Sequence, residues 1–207
     1  MTVAAAKALL KASAVQFSTD PMFTWASGIQ SPIYCDNRLL MGYPELRERV
    51  AHELAQLIKE KFPEAGVVAG TATAGIPHAA WVSTLLNCPM LYVRSKAKEH
   101  GRGNQIEGRV NQGDKVVVIE DLISTGGSSL TAVEALRQKG VEVLGVVSIF
   151  SYGLPKAQQA FDQIGIPYYS LTNLEELLSE AGDDGKLSQS QMLEITNWHE
   201  GLKQKNA

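Results

Sequence analysis

The chain has little of what would tie a small extracellular scaffold together. Two of its 207 residues are cysteine, Cys35 and Cys88, with no C-x-x-C pair and no Cys/His spacing that suits zinc. That argues against a disulfide framework or a structural metal site and fits a reducing, cytoplasmic setting. Long apolar runs are missing too. The N-terminal stretch "MTVAAAKALLKASAV" is interrupted by Lys7 and Lys11, so it is too broken for a secretory signal and too short to span a bilayer. It reads as an amphipathic helix. Positive charge is not in excess: the net charge is -3 and the pI about 5.8, which gives no general electrostatic reason to bind nucleic acid or an anionic membrane. Internal repeats, linkers and low-complexity segments are absent. Any anion site must therefore be local.

What is present is ordinary globular composition, 44% hydrophobic and 20% charged, at a length that suits one α/β domain with a sizeable core. Runs rich in Val, Ile and aromatics occupy residues 66–71, 90–94, 115–121, 142–150 and 166–171. The central three show little polar alternation, the pattern of strands covered on both faces. Helical stretches lie before the first run (44–62), after it (76–86) and after the third (127–140), which predicts βαβ units and a mostly parallel sheet. Gly140, just past Arg137 and Lys139, marks a helix end, and Asn173 with Glu176 and Ser188 with Gln191 have capping-box spacing for two closing helices. One connection is too long: Ser95 to Asp114, with little apolar content between two strands. Such a connection is either functional or a sign of a wrong assignment.

"VVVIEDLISTGGSS" (116–129) carries the chemistry. Four β-branched residues lead to the carboxyl edge of the sheet, where ligands of open α/β sheets gather. Glu120 and Asp121 stand at that edge. Gly126 and Gly127 then permit positive φ and close backbone approach, and the helix that follows aims its N-terminus at the same place. This is a phosphate cradle beside two carboxylates. No lysine follows the glycines, so it is not a nucleotide P-loop, and no G-x-G-x-x-G turn is present. A sugar phosphate satisfies both halves: N–H groups take the phosphate, while the carboxylates accept from ribose hydroxyls, directly or through a divalent cation, and stabilise an oxocarbenium-like sugar.

The whole string resembles the phosphoribosyl-pyrophosphate (PRPP) signature of the type I phosphoribosyltransferases. Two further stretches are similar to the orotate-using branch of that family. "FTWASGIQSPIYCDNR" (23–38) resembles its N-terminal motif, and "VRSKAKEHGRGNQIEG" (93–108) its catalytic loop. The resemblance implies an α/β type I phosphoribosyltransferase fold, a mostly parallel five-stranded sheet flanked by helices. It also implies a small N-terminal hood (about 1–40), a mobile loop (95–114) and a single domain over 1–207. The implied reaction transfers the phosphoribosyl group of PRPP to orotate, releasing pyrophosphate, with Mg²⁺ as cofactor held mainly by PRPP and water rather than by direct protein ligands. A homodimer with shared sites is implied as well, in which Arg94 and its flap reach the partner.

Carried onto this chain, the catalytic positions are Lys98, His100, Glu120 and Asp121. PRPP would also meet Arg94, Leu122, Ile123, Ser124, Thr125, Gly126, Gly127 and Ser128, and Thr73, Ala74 and Gly75 would face the pyrophosphate. From Arg94 to Arg109 there are five Lys/Arg against Glu99 and Glu107, loosened by Gly101, Gly103 and Gly108. Closing such a cationic flap excludes water and brings charge onto a departing anion. The chain departs from some relatives at Ala26 and Ser95, where they carry lysine, and in "FSYGLPKAQ" (150–158), which lacks their arginine for the orotate carboxylate. That assigns orotate to Ser27, Gly28 and Ser124. His52, His78 and His199 read as helix-surface or packing residues, Trp81 and Trp198 as packing, and Trp25 as packing or a wall of the base pocket. Two rivals stay open: a phosphoribosyltransferase for another base, and a non-catalytic PRPP-sensing regulator.

Overall fold

A computed structural model describes residues 2–25, 28–96 and 104–205. Its frame is a six-stranded sheet ordered β10-β9-β8-β5-β6-β7, made of β5 (Val67–Thr71), β6 (Met90–Val93), β7 (Ile106–Glu107), β8 (Lys115–Ile123), β9 (Glu142–Ser151) and β10 (Tyr168–Asn173). The five predicted strands are the parallel ones. The sixth, β7, comes from within the over-long connection and runs antiparallel to β6.

Side-chain alternation along β8 builds two cores. Val116 and Val118 face one layer, with α4 (Gly127–Arg137) and α5 (Pro155–Gln163) supplying Val133, Leu136, Ala157 and Phe161. Val117 and Ile119 face the other, where α1 (Thr2–Lys11), α2 (Pro44–Lys61), α3 (Gly75–Leu86), α6 (Leu174–Asp183) and α7 (Gln189–Lys205) contribute. All four β8 residues are fully buried, each worth about 1.5–3 kcal/mol of apolar transfer. That double burial is why the strand shows no polar alternation.

The topology then creates an opening. The chain leaves β5 by α3, on one face of the sheet, and leaves the adjacent β8 by α4, on the other. Helices that diverge from neighbouring parallel strands leave a crevice at their carboxyl ends. The crevice is deepened because β5 pairs with β8 only as far as Ile119, whereas β9 stays with β8 to Ile123.

Over this edge lie the N-terminal hairpins. β1 (Val15–Phe17) pairs with β4 (Ile33–Cys35), and β2 (Phe23–Thr24) with β3 (Gln30–Ser31). Ala14, Val15 and Ile33 belong to the same core as Val117, so the hairpins are sealed to the sheet by shared apolar burial. A 3-10 helix, Asn37–Gly42, follows, with Asp36 as its N-cap.

Candidate active site

Glu120 and Asp121 follow the buried run of β8, and both line the cleft at its end. Glu120 points to the α4 side and is 5% exposed. Ser129 Oγ donates to Glu120 Oε2 at 3.3 Å, and the Asp121 N–H donates to Glu120 Oε1 at 3.1 Å. Burial, then the like charge of Asp121, push the Glu120 carboxyl up to about 8. Asp121 is raised as well, again chiefly by burial. Its carbonyl accepts from Asn37 Nδ2 at 2.7 Å across 84 residues of sequence, which ties the hairpin segment to the strand end.

Two backbone turns flank the pair. Past β8, Gly126 caps α4 at φ 83°, and a Cβ there would lie 3.0 Å from the Phe161 ring, so position and contact both call for glycine. No side chain caps α4, and none caps α3, which starts after Ala74. The first-turn N–H groups of α4 are thus left for an anion, whereas in α3 Pro77 has no N–H and the Ile76 N–H donates to the Thr73 carbonyl at 3.3 Å. The α3 turn is held tightly. Gly75 packs on the Ile119 carbonyl, a Cβ on it would come within 2.6 Å of Thr71 Oγ1, and Thr71 Oγ1 donates to that same carbonyl at 3.2 Å.

Two clefts open here and share Ala72 and Ser128 in their walls. One, of about 390 Å³, lies between the hairpins and the strand ends and is lined by Asp36, Arg38, Thr73, Ala74, Glu120, Asp121 and Leu122 among others. The other, of about 350 Å³, lies toward β6 and includes Thr71, Arg94, Ser95, Gly127 and Thr131. A larger cavity of about 600 Å³ sits between the hairpins and α7, lined by residues such as Met22, Ile29, Trp198 and Leu202, with no carboxylate. Its size does not make it a site for chemistry.

The predicted residues are thus distributed as follows. Thr73, Ala74, Glu120, Asp121, Leu122 and Ser128 face the first cleft, Arg94, Gly127 and Ser128 the second. Ser124, Thr125 and Gly126 form the turn between β8 and α4 and line neither cleft, and Gly75 packs against Ile119 and Thr71. Ile123 is buried, its carbonyl accepting the Tyr152 N–H at 3.0 Å, so its side chain is a core residue. Gly28 (φ 83°) closes the β2–β3 turn through Gly28 N–H to Trp25 carbonyl at 2.8 Å and lines neither cleft. Ser27, Lys98 and His100 lie outside the described residues.

Arg94 is tied at its backbone to Gln105 by two bonds of 2.9 Å, and its Nη1 lies 3.9 Å from Glu107 Oε1. Trp25 lines neither cleft; it packs on Tyr152 (4.8 Å) and Trp198 (5.9 Å) and donates to the Ile33 carbonyl. His52 is exposed. His78 is buried edge-on against Trp81, and burial drops its pKa to about 4. His199 Nε2 lies 2.6 Å from the Tyr152 carbonyl.

Sequence reasoning left Asn37, Arg38, Thr71 and Ser129 without roles. The Asp36-x-Arg38 spacing was the available signal. Arg38 Nε and Nη2 donate to the two Asp36 oxygens at 2.6 and 2.8 Å, a bond that holds the Asp36 carboxyl below its usual range.

The phosphoribosyl transferase domain family matches residues 43–172. An orotate phosphoribosyltransferase of Staphylococcus haemolyticus is 55% identical over 197 residues, covering 95% of this chain and 98% of that one. Among solved structures, Leishmania donovani UMP synthase superposes with a TM-score of 0.83 at 30% identity, over 97% of this chain and 42% of that longer one. Orotate phosphoribosyltransferase from Aeropyrum pernix gives 0.76 at 30% identity, over 86% and 97%.

Proposed function

Because the chain belongs to the phosphoribosyl transferase domain family, and within it to the orotate phosphoribosyltransferases, we propose that its reaction is carried out in the crevice between β5 and β8. The reaction transfers the 5-phosphoribosyl group of PRPP to orotate, giving orotidine 5′-monophosphate (OMP) and pyrophosphate in pyrimidine synthesis. The observation that supports this placement is the pair of helix N-termini without side-chain caps on either side of the buried Glu120 and the half-buried Asp121.

Each group has a part that its chemistry suits. The turn Ser124–Ser128 and the start of α4 hold the 5′-phosphate through N–H groups. Glu120 and Asp121 accept from the ribose hydroxyls and favour positive charge at C1 as the bond to pyrophosphate lengthens. Backbone groups of Thr73, Ala74 and Gly75 face the pyrophosphate. Lys98, His100 and Arg94 neutralise it as it leaves, from the flap of a partner subunit in a homodimer, and the closed flap keeps water from the sugar cation. Ser27 and Ser124 orient orotate so that N1 attacks C1, with Gly28 acting through the turn it closes rather than by its own N–H, and no covalent enzyme intermediate is needed.

Among the described residues no cluster of three or more His, Cys, Asp or Glu could hold a metal. Mg²⁺ carried by PRPP would supply charge neutralisation on the pyrophosphate, with Asp121 and Glu120 facing it through water. No helix among the described residues is long and apolar enough to cross a membrane, and we read the protein as cytoplasmic, one domain with residues 1–40 as a hood. Loss of orotate absorbance on adding PRPP and Mg²⁺ tests the function. Turnover of uracil, adenine, guanine or hypoxanthine instead of orotate overturns it.

A further inference from the structure

The first cleft presents a charge problem. Asp36, Glu120 and Asp121 line it, and orotate brings another carboxylate. Among the described residues the one Lys or Arg in its wall is Arg38. Position 26 is alanine, and the stretch after β9, Tyr152 to Leu154, carries no cation.

Arg38 is held as a rigid fork. Asp36 accepts the Arg38 N–H at 3.2 Å as the N-cap of the 3-10 helix, and it accepts Nε and Nη2 in a bidentate pair. That leaves the Nη1 edge of a planar guanidinium for a second carboxylate, a match a lysine cannot reproduce. The side chain is 56% exposed and would lose little solvation by turning that edge to a ligand. Orotate and uracil differ only by the carboxylate, so one charged edge at this place is enough to separate them.

We propose that Arg38, preorganised by Asp36, is the residue that recognises the orotate carboxylate and makes the site selective for orotate over uracil. This rests on the orotate reading above. A plain structural role for the Asp36–Arg38 pair would instead affect every ligand of the cleft alike.

The test is equilibrium titration of OMP and uridine 5′-monophosphate (UMP), which share sugar and phosphate, with steady-state kinetics alongside. Hydrogen bonds to a charged group favour binding by about 10- to 100-fold, and partial exposure places Arg38 near the lower end. Arg38→Ala should weaken OMP about 10-fold and leave UMP unchanged, raising KM for orotate but not for PRPP. Arg38→Lys should fall between, and Asp36→Asn, which loosens the fork, should show the same OMP-specific loss in smaller measure. Thermal melts check that each variant is folded, with Arg38→Gln as the substitute if alanine is not. Equal weakening of OMP and UMP, an unchanged OMP affinity, or an effect confined to PRPP and pyrophosphate overturns the assignment. Wild-type protein that neither binds OMP nor consumes orotate overturns the functional reading itself.

Discussion

Replacing Glu120 with glutamine should change how stability depends on pH, in a direction the burial dictates. In the folded protein the Glu120 carboxyl titrates near 8, against an ordinary value of 4.5. Below about pH 4.5 both folded and unfolded chains hold the proton and nothing is lost. Between there and about pH 8 the folded chain keeps a proton that the unfolded chain releases, so stability falls as pH rises. Above about pH 8 the loss levels off. At about 1.4 kcal/mol per pH unit the window amounts to at most about 5 kcal/mol. Glu120→Gln keeps the shape, keeps an oxygen for Ser129 Oγ, and never ionises. Urea denaturation of both proteins from about pH 5 to about pH 9 should give curves that start together and diverge, the wild type becoming the less stable by about pH 8. The same proton governs the proposed hydroxyl acceptor, so kcat/KM for PRPP should climb through about pH 8 in the wild type and lose that limb in the variant. Parallel stability curves would show that Glu120 is ionised throughout, and the account of the carboxylate pair would fall with it.

Further perturbations probe other parts of the site. Gly75→Ala drives a Cβ onto the Ile119 carbonyl and Thr71 Oγ1 and should cost about 1–3 kcal/mol by overpacking while raising KM for PRPP; a wild-type urea midpoint and KM refute the tight-turn reading. Asp121→Asn and Lys98→Ala should each lower turnover by about 10²- to 10³-fold, and Asp121→Asn should leave stability intact because it removes a carboxylate whose charge burial already disfavours. Mixing those two variants should restore activity in heterodimers, and no recovery in verified heterodimers argues for sites built within one chain. Chelating divalent cations should abolish turnover, with Mg²⁺ restoring it; full activity in chelator removes the metal from the scheme.

The readable parts of the fold were those whose cause is local. The β-branched run of β8 and the small-residue turns before α3 and α4 were legible. So was the closing Ser188–Gln191 box, whose two bonds are both present: the Ser188 N–H donates to Gln191 Oε1 and the Gln191 N–H to Ser188 Oγ. Its partner is only half made, since Asn173 Oδ1 accepts the Glu176 N–H while the Glu176 carboxylate takes the Thr172 hydroxyl. The hairpin strands β1 to β4, two or three residues each, are too short to show a period. The nine-residue α5 was missed although Pro155 at its first turn was a usable start signal. β7 exists because Ile106 and Glu107 meet an edge of β6, a tertiary cause with no local trace. At the site, carboxylates and glycine turns were visible because one segment carries them. Asn37 gains its meaning only when the fold closes a gap of 84 residues, while Arg38 pairs locally with Asp36.

The bond from Asn37 Nδ2 to the Asp121 carbonyl bears on how this architecture can be re-engineered. On the proposed reading most of the residues that meet the base lie in the N-terminal stretch and those that handle the phosphoribosyl group lie in β8 and the turn after it, with Ser124 serving both, which invites exchanging one N-terminal segment for another. The two stretches are aligned by this clasp and the apolar seam beside it. A transplanted segment must therefore bring an amide donor to the same point, or the new base pocket will sit out of register with the sugar it is meant to serve.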